Sequence, residues 1–233
     1  MKKIKSWYLP DNEEHFVKEM TQKNVDGYQI PSRQATLKKI KNLPGFIPLL
    51  ALDVGANVGF WTRDLAKMFK KVNAYEPLAD NIECLQRNVN NNNVIFKEFA
   101  LGDKTETKEL MIPQNGNCGS ATFQNSNIVD DSEIKRIDVA VKTLDNDLAS
   151  ETTEMLQNCF IKIDTQGHEN EVLKGAETFI NVHKPVICCE VRANREHVGP
   201  ALDFFKKMNY KLYFNYKKEY TFVSKQRFPK GLL

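Results

Sequence analysis

The chain has 233 residues, of which 41% are hydrophobic and 27% are charged, and its formal net charge is +3. This size fits one α/β domain with an appendage, or at a stretch two small domains. The low charge, without a dense basic stripe, argues against a nucleic-acid partner. No apolar run is long enough for a transmembrane helix, and residues 1–7 lack the apolar region of a signal peptide, so we expect no membrane association.

The cysteine content favours a reducing compartment. None of the five cysteines belongs to a CxxC pair; they are Cys84, Cys118, Cys159, Cys188 and Cys189. We interpret them as small buried hydrophobic residues. In the absence of a signal peptide we therefore expect a cytoplasmic protein.

Residues 1–46 are predicted to form an N-terminal helical cap. Acidic residues from Asp11 onwards begin a first helix, and Ser32 is a candidate N-cap for a second, which the Pro-Gly pair at 44–45 closes. Residues 27–31 are predicted to form the loop between the helices. The cap either covers the cofactor or substrate, or packs against the sheet or a second subunit, so a homo-oligomer stays an open expectation.

The larger domain, residues 47–233, is predicted to begin with a strand, a glycine turn and a helix. The apolar run 49–52 is typical of a strand buried on both faces of a parallel sheet. The strand stops at Asp53, glycines follow at 55 and 59, and a helical pattern begins at Phe60. Such a turn brings the backbone and the N–H groups of the helix N-terminus close to a ligand.

A second strand, residues 72–77, ends in Glu76 and Pro77, 23 residues after Asp53. An acid at this strand tip is where a nucleotide-type cofactor places its ribose hydroxyls. The dinucleotide fingerprint GxGxxG is absent, and the pattern DxGxNxG has an acid that would repel a pyrophosphate. The pattern therefore predicts S-adenosylmethionine (SAM), which has a cationic amino acid end and no phosphate, with S-adenosylhomocysteine (SAH) as product.

The rest of the chain is predicted to alternate strands and helices around an antiparallel β insertion, residues 104–143. The loops of this insertion, among them residues 115–120, are a candidate substrate surface. Several elements follow the second strand: a helix over 79–90, a third strand over 94–103, insertion strands over 109–113, 120–124 and 136–143, a fourth strand over 159–164, a helix carrying Val172, Leu173, Ala176, Phe179 and Ile180 inward, a fifth strand over 185–191, a helix over 197–208, and an antiparallel pair over 210–214 and 220–224.

Together these motifs resemble the FkbM family of SAM-dependent methyltransferases. The matching motifs occur in order at residues 53–59, 75–77, 100–102, 143–145, 161–169, 172–176 and 185–190. The resemblance covers about residues 50–191 and leaves out the cap. The family usually shows Asp-Val-Glu-Gly-x-Glu after the fourth strand, whereas this chain has Thr165 and Gln166 in place of Val and Glu, and so lacks one acid.

The resemblance implies a fold and a reaction. The fold is α/β: a class I methyltransferase, or Rossmann-like, seven-stranded and mostly parallel sheet with an antiparallel final strand. The small antiparallel insertion and the helical cap are added to it. The implied reaction is O-methyl transfer to a hydroxyl of a small-molecule or glycan acceptor, such as a sugar, a glycan or a polyketide.

The predicted cofactor contacts lie at the ends of the first four strands. Glu76 would accept hydrogen bonds from both ribose hydroxyls, or be a solvated acid before a proline. Asp53 would lie under the amino acid end of SAM, or cap a helix. A β-carbon at Gly55 would press on the cofactor. The other predicted contacts are Ala56, Asn57, Gly59, Pro77, Ala100, Asp103 and Asp164, with a turn-forming role as the alternative for Asp103.

Asp164 ends the fourth strand, where open α/β sheets place ligands, and is predicted to face the methyl group and the acceptor. A sugar-like hydroxyl is a poor nucleophile, so a base or a metal is expected. His168 and Glu169 are the candidate bases; the alternatives are a surface histidine and a first-turn acid. A divalent ion held by these three residues and Glu190 is less favoured, because no compact ligand spacing such as HExxH is present.

Three other functions stay open. The chain lacks the Pro-Pro-aromatic turn of exocyclic-amine methyltransferases and the Pro-Cys pair of cytosine-C5 enzymes, which argues against base methylation. An RNA ribose methyltransferase would need a basic face, for which Lys2, Lys3, Lys5 and the lysines at 38–41 are the only indication. A catalytically silent SAM-binding protein and an NAD dehydrogenase are the remaining alternatives.

Overall fold

The structure is a computed structural model that describes residues 1–124, 134–190 and 195–229. Its helices and strands, in chain order, are β1 (Lys2–Ile4), β2 (Trp7–Leu9), α1 (His15–Gln22), α2 (Ile30–Lys41), β3 (Leu50–Val54), α3 (Phe60–Met68), β4 (Lys71–Tyr75), α4 (Ala79–Asn88), β5 (Val94–Lys97), β6 (Ala100–Leu101), β7 (Glu106–Pro113), β8 (Ile134–Lys142), α5 (Leu144–Asp147), α6 (Thr153–Gln157), β9 (Cys159–Ile163), α7 (Glu169–Lys174), α8 (Glu177–His183), β10 (Val186–Glu190), α9 (Arg195–Lys207), β11 (Tyr210–Tyr216) and β12 (Glu219–Ser224).

A seven-stranded sheet in the order β11-β12-β10-β9-β3-β4-β5 forms the centre of the molecule. Strands β3, β4, β5, β9 and β10 pair in parallel, and β12 runs antiparallel to both β10 and β11. The predicted mostly parallel sheet with an antiparallel final strand is therefore confirmed. Among the described helices, none is long and apolar enough to cross a membrane.

The apolar strands β3, β9 and β10 are buried along their whole length, because helices cover both faces of the sheet. Residues of α7, α8 and α9 pack on one face, and residues of α2, α3 and α4 pack on the other. The chain leaves β3 towards β4 on one side and β9 lies on its other side. This reversal of strand order opens a crevice at the carboxyl ends of the strands, where ligands bind in open α/β sheets.

Residues 1–46 contain a β-hairpin, β1 and β2, in addition to the two predicted helices. The prediction of a purely helical cap was wrong here, because a left-handed residue, Lys5, closes a turn between two short extended segments. Helix α2 begins at Ile30, not at the predicted cap Ser32, which is buried inside the helix. A proline in the first helical turn suits this earlier start, since its missing N–H has no helical partner there.

The third predicted strand, residues 94–103, is two strands that belong to different sheets. β5 extends the central sheet, whereas β6 pairs in parallel with β8 in a three-stranded sheet of order β6-β8-β7. The predicted strand at 120–124 is reduced to a single bridge between Met111 and Thr122. Within residues 104–143, β7 and β8 pair antiparallel as predicted, and β6, which lies before the insertion, adds a parallel strand to them.

The helix predicted after the fourth strand is divided into α7 and α8 near Gly175. A β-carbon there would lie 1.8 Å from the carbonyl oxygen of Gly102, so the backbone of the turn after β6 touches the chain at this point. Asp145, which is far from α8 in the sequence, caps this helix. Its carboxylate accepts hydrogen bonds from the backbone amides of Thr178 (3.1 Å) and Phe179 (2.8 Å). The residues predicted to face inward from this helix are all buried.

The cysteines are free, and four of the five are buried, which agrees with their interpretation as small hydrophobic residues. The predicted strand over 185–191 is β10 up to Glu190, and residue 191 lies outside the described residues.

Candidate functional site

A cavity of about 310 Å³ lies at the carboxyl ends of β3, β4, β9 and β10. Four parts of the chain form its walls: the glycine turn after β3, the tip of β4, the loops of the insertion and the N-terminal cap. Many of the predicted site residues line it; these are Gly55, Ala56, Asn57, Glu76, Pro77, Ala100, Asp164 and His168. The structure does not bring Asp53, Gly59, Asp103 or Glu169 to this wall.

The glycine turn is held against two neighbouring strands. The amides of Gly55 and Ala56 both donate to the carbonyl of Tyr75, at 3.1 and 2.9 Å. Gly55 has a left-handed φ of 77°, and a β-carbon on it would lie 2.0 Å from the carbonyl oxygen of Asp164. The close contact that requires this glycine is thus with the end of β9, and not with the cofactor as the sequence suggested.

Glu76 presents a buried carboxylate to the cavity. Its oxygens accept hydrogen bonds from the amides of Asn57 (2.9 Å) and Leu78 (3.1 Å) and from the side chain of Asn81 (3.2 Å). Burial raises the pKa of Glu76 to about 7, against the opposing effect of these bonds. The carboxylate is oriented before any ligand arrives, and it can still accept further hydrogen bonds.

Asp53 and Gly59 act behind the cavity wall. The hydroxyl of Thr62 donates to the Asp53 carboxylate at 2.5 Å, and burial raises the pKa of this acid to about 6. A β-carbon on Gly59 would lie 2.6 Å from the side chain of Leu85, so this glycine allows α3 and α4 to pack closely. Both residues shape the turn from the inside of the protein.

Four apolar residues of the cavity wall form what we call the apolar slot. Pro77 and Leu78 follow Glu76 in the chain, and Ala100 and Leu101 form β6. Asp103 follows this slot but lies on the exposed turn after β6.

The insertion loop 114–120 connects the glycine turn with the cap. The carbonyl of Cys118 accepts hydrogen bonds from the side chains of Asn57 and Asn81, both at 3.2 Å. The amide of Cys118 donates to the buried carboxylate of Glu13 in the cap, at 2.7 Å. The predicted substrate loop therefore covers the cavity and is tied to both of its sides.

Two acids lie side by side at the ends of β9 and β10. Asp164 and Glu190 follow a register pair of adjacent parallel strands, and both line the cavity. The side-chain amide nitrogen of Gln166 donates to the carboxyl group of Asp164 at 2.6 Å and to that of Glu190 at 3.4 Å. Gln166, where the family pattern has an acid, thus joins the two carboxyl groups.

A fully buried lysine lies beneath these acids. The amino group of Lys162 is 3.6 Å from the Asp164 carboxylate and 3.5 Å from that of Glu219 on β12. Burial, followed by the charge of Asp164, raises the pKa of Glu190 to about 8. One signal for this group was present in the chain, a lysine in the otherwise apolar strand β9.

Glu169 and His168 have different surroundings from those predicted. One carboxylate oxygen of Glu169 accepts hydrogen bonds from the backbone amides of Thr165 (2.9 Å) and Gly167 (3.1 Å). This acid therefore stabilises the loop after β9. His168 packs on the ring of Phe123 at 4.6 Å, and burial lowers its pKa. The four residues of the metal hypothesis do not come together, and no group of three or more His, Cys, Asp or Glu within the described ranges could hold a metal ion.

The cap contributes an aromatic wall. The ring centroid of Tyr28 lies 5.6 Å from that of His15, 4.8 Å from that of Phe16 and 5.9 Å from that of Phe60, and all four line the cavity. Burial, followed by the charges of Glu190 and Asp164, raises the pKa of Tyr28. Tyr28 and the two acids line the same cavity. Sequence analysis missed this residue because it lies in a loop without a motif.

The sequence model of the Methyltransferase FkbM domain family matches residues 53–212. No curated protein sequence matches the chain. Among solved structures, FkbM from Methylobacillus flagellatus KT is similar, with 18% identity and a TM-score of 0.54 over 78% of this chain and 45% of that one. Monomeric WbdD is also similar, with 10% identity and a TM-score of 0.51 over 88% of this chain and 44% of that one. This chain thus spans less than half the length of either protein, and the two likenesses show the fold.

Proposed function

This chain belongs to the FkbM family of SAM-dependent methyltransferases, and we propose that it methylates a hydroxyl of a sugar, glycan or polyketide-like acceptor. The observation that carries the acceptor class is that the pair of acids and the aromatic wall of the cap line one cavity. Aromatic faces pack on the C–H face of a sugar ring, and carboxyl groups bind its hydroxyls.

The residues of the cavity fit SAM. The Glu76 carboxylate suits ribose hydroxyls, and the slot at Leu78 and Leu101 suits an adenine ring. The indole N–H of Trp61 also lines the cavity; it is buried and has no hydrogen-bond partner within the described residues, so it can donate to a ligand. When bound, SAM supplies a methyl group activated by its sulfonium. The protein's own contribution is mainly alignment, which supplies about 7–11 kcal/mol of such a barrier.

An RNA acceptor is less well supported by the charges of the cavity. Among the described residues, three carboxyl groups and one lysine, Lys218, line the cavity. The carboxyl groups would repel a phosphate backbone. The lysines of the cap and of α2 are absent from this wall.

The experiment is incubation with tritiated SAM and a panel of pyranosides, glycans and structured RNA, with SAH binding measured by calorimetry. We expect label in a hydroxyl-bearing sugar or glycan. Asp164→Ala should keep SAH binding and lose transfer, whereas Glu76→Ala should lose SAH binding. Label in RNA alone would favour the ribose methyltransferase, and binding without transfer to any acceptor would favour a silent SAM-binding protein.

A further inference from the structure

We propose that Asp164 and Glu190 share one proton, and that this pair, not His168 or Glu169, takes the proton of the acceptor hydroxyl. The inference rests on the proposed function, since it assigns the base for that reaction. Its starting point is the contact of two carboxyl groups at the ends of β9 and β10 on the cavity wall.

The geometry brings these two acids within reach of one hydrogen-bond donor, close enough for two ionised carboxylates to repel each other. Gln166 donates to both from one amide nitrogen, and Glu190 is only 9% exposed. When two carboxyl groups share a site, the proton of one is retained and the other is ionised. The raised pKa of Glu190, caused by burial and then by Asp164, agrees with Glu190 as the protonated member.

The charges around the pair keep the second member ionised. The amino group of Lys162 lies 3.6 Å from Asp164. Among the described residues, the other titratable groups near the pair are Asp53 on β3, Glu219 on β12, Tyr28 in the cap and the thiol of Cys188 on β10. Lys162 balances one negative charge, so four acids around one lysine favour retention of a proton. Asp164 is the ionised member, and its side chain, 19% exposed, reaches the cavity.

The two residues that the sequence offered as bases are engaged elsewhere. Glu169 accepts hydrogen bonds from the loop after β9 and does not line the cavity. The His168 Nδ1 lies 3.6 Å from the carboxylate of Glu171, and its Nε2 is buried beside Gly102 without a hydrogen-bond partner among the described residues. Although His168 lines the cavity, its side chain is only 4% exposed, so neither ring nitrogen is open to an acceptor there.

The step balances as a displacement with one proton transfer. The acceptor oxygen forms a bond to the methyl carbon, the electron pair of the carbon–sulfur bond returns to sulfur, and the hydroxyl proton passes to Asp164. The pair then carries two protons, one of which is released to solvent before the next turnover. Tyr28, across the cavity, would position the acceptor oxygen between its phenol and the pair.

The test combines a titration with kinetics. With carboxyl-¹³C-labelled Asp and Glu and SAH present, we expect two coupled steps for the pair in the full-length protein, one at low pH and one near pH 8. In Glu190→Gln, Asp164 should titrate in a single step. Asp164→Asn, which removes the proton acceptor, should bind SAH and lose about 10²–10⁴-fold in kcat, the usual contribution of a general base.

The matched control is Glu171→Gln, which removes the carboxylate beside His168 and should keep the wild-type kcat and the two-step titration. Independent titration of Asp164 and Glu190 near pH 4, or a wild-type kcat in Asp164→Asn, would overturn the inference. If the wild-type protein binds SAH but methylates no hydroxyl in the panel, the proposed acceptor class fails, and the titration by itself still decides whether the proton is shared.

Discussion

Glu76 carries a carboxyl group whose ionisation depends on what the cavity contains. In the free protein, burial raises its pKa to about 7, so near neutral pH the group is partly protonated. Ribose hydroxyls donate to the ionised form, so cofactor binding should lower this pKa and release a proton.

We therefore predict that SAH binds more tightly as the pH rises from 6 to 8. Below the pKa of Glu76 the affinity should fall by up to about tenfold per pH unit, because each bound ligand must then displace a proton. Calorimetry in buffers of different ionisation enthalpy measures both the affinity and the released protons.

Glu76→Gln should weaken binding and flatten this pH dependence, since an amide does not ionise. Glu83→Gln, an exposed acid on α4, is the matched control and should keep the wild-type profile. A profile that keeps its slope in Glu76→Gln would show that another group is responsible.

At the level of secondary structure elements, the site depends on the contact between the carboxyl ends of β3 and β9. The carbonyl of Asp164 occupies the space where a side chain at Gly55 would begin, so the turn and the end of β9 are fitted to each other. Gly175 plays a comparable part between α7 and the turn after β6, where the carbonyl of Gly102 excludes a β-carbon.

We predict that Gly55→Ala lowers the free energy of unfolding by about 3 kcal/mol, the sum of left-handed backbone strain and steric overlap. Gly45→Ala is the control, because Gly45 has a similar φ of 73° but no atom within 4 Å of its β-carbon position. It should cost only the strain, about 1–2 kcal/mol. Urea denaturation measures the free energy of unfolding of the two variants. Equal losses in both would show that the overlap of the new β-carbon with the Asp164 carbonyl costs nothing.

At the level of the whole molecule, the cap and the insertion enclose the cavity together. Glu13, which is fully buried, accepts hydrogen bonds from the amides of Phe16 (2.5 Å) and Cys118 (2.7 Å). The carbonyl of Gly116 also accepts a hydrogen bond from the amide of His15 at 3.0 Å. Release of the cofactor should therefore require these contacts to open.

We predict that Glu13→Gln accelerates SAH dissociation by about tenfold or more, since loss of one charge-assisted bond costs about 1.5–3 kcal/mol. Stopped-flow displacement measures the rate. Glu14→Gln, an exposed neighbour, should dissociate like the wild type. Reduced stability of Glu13→Gln with an unchanged dissociation rate would limit the contact to a structural role.

Local sequence patterns determined the first part of the site and the fold class. The apolar run before Asp53, the two glycines and the acid at Glu76 all act within a few residues, through steric freedom, burial and strand-end geometry. The same patterns predicted the alternating strands and helices, and the motifs together predicted the family. Boundaries were predicted less well where a contact from elsewhere decides them, as Gly102 does for the break between α7 and α8.

Only the tertiary structure decided which side chains meet in the second half of the cavity. Tyr28, Asp164 and Glu190 are far apart in sequence, and they come together because β9 and β10 are adjacent and the cap folds over their ends. A short-range sequence pattern does not show which distant residues meet. The sequence therefore indicated His168 and Glu169 as bases, because they follow Asp164 closely along the chain. The pairing of strands, which depends on burial of the whole core, placed the two acids and their buried lysine side by side.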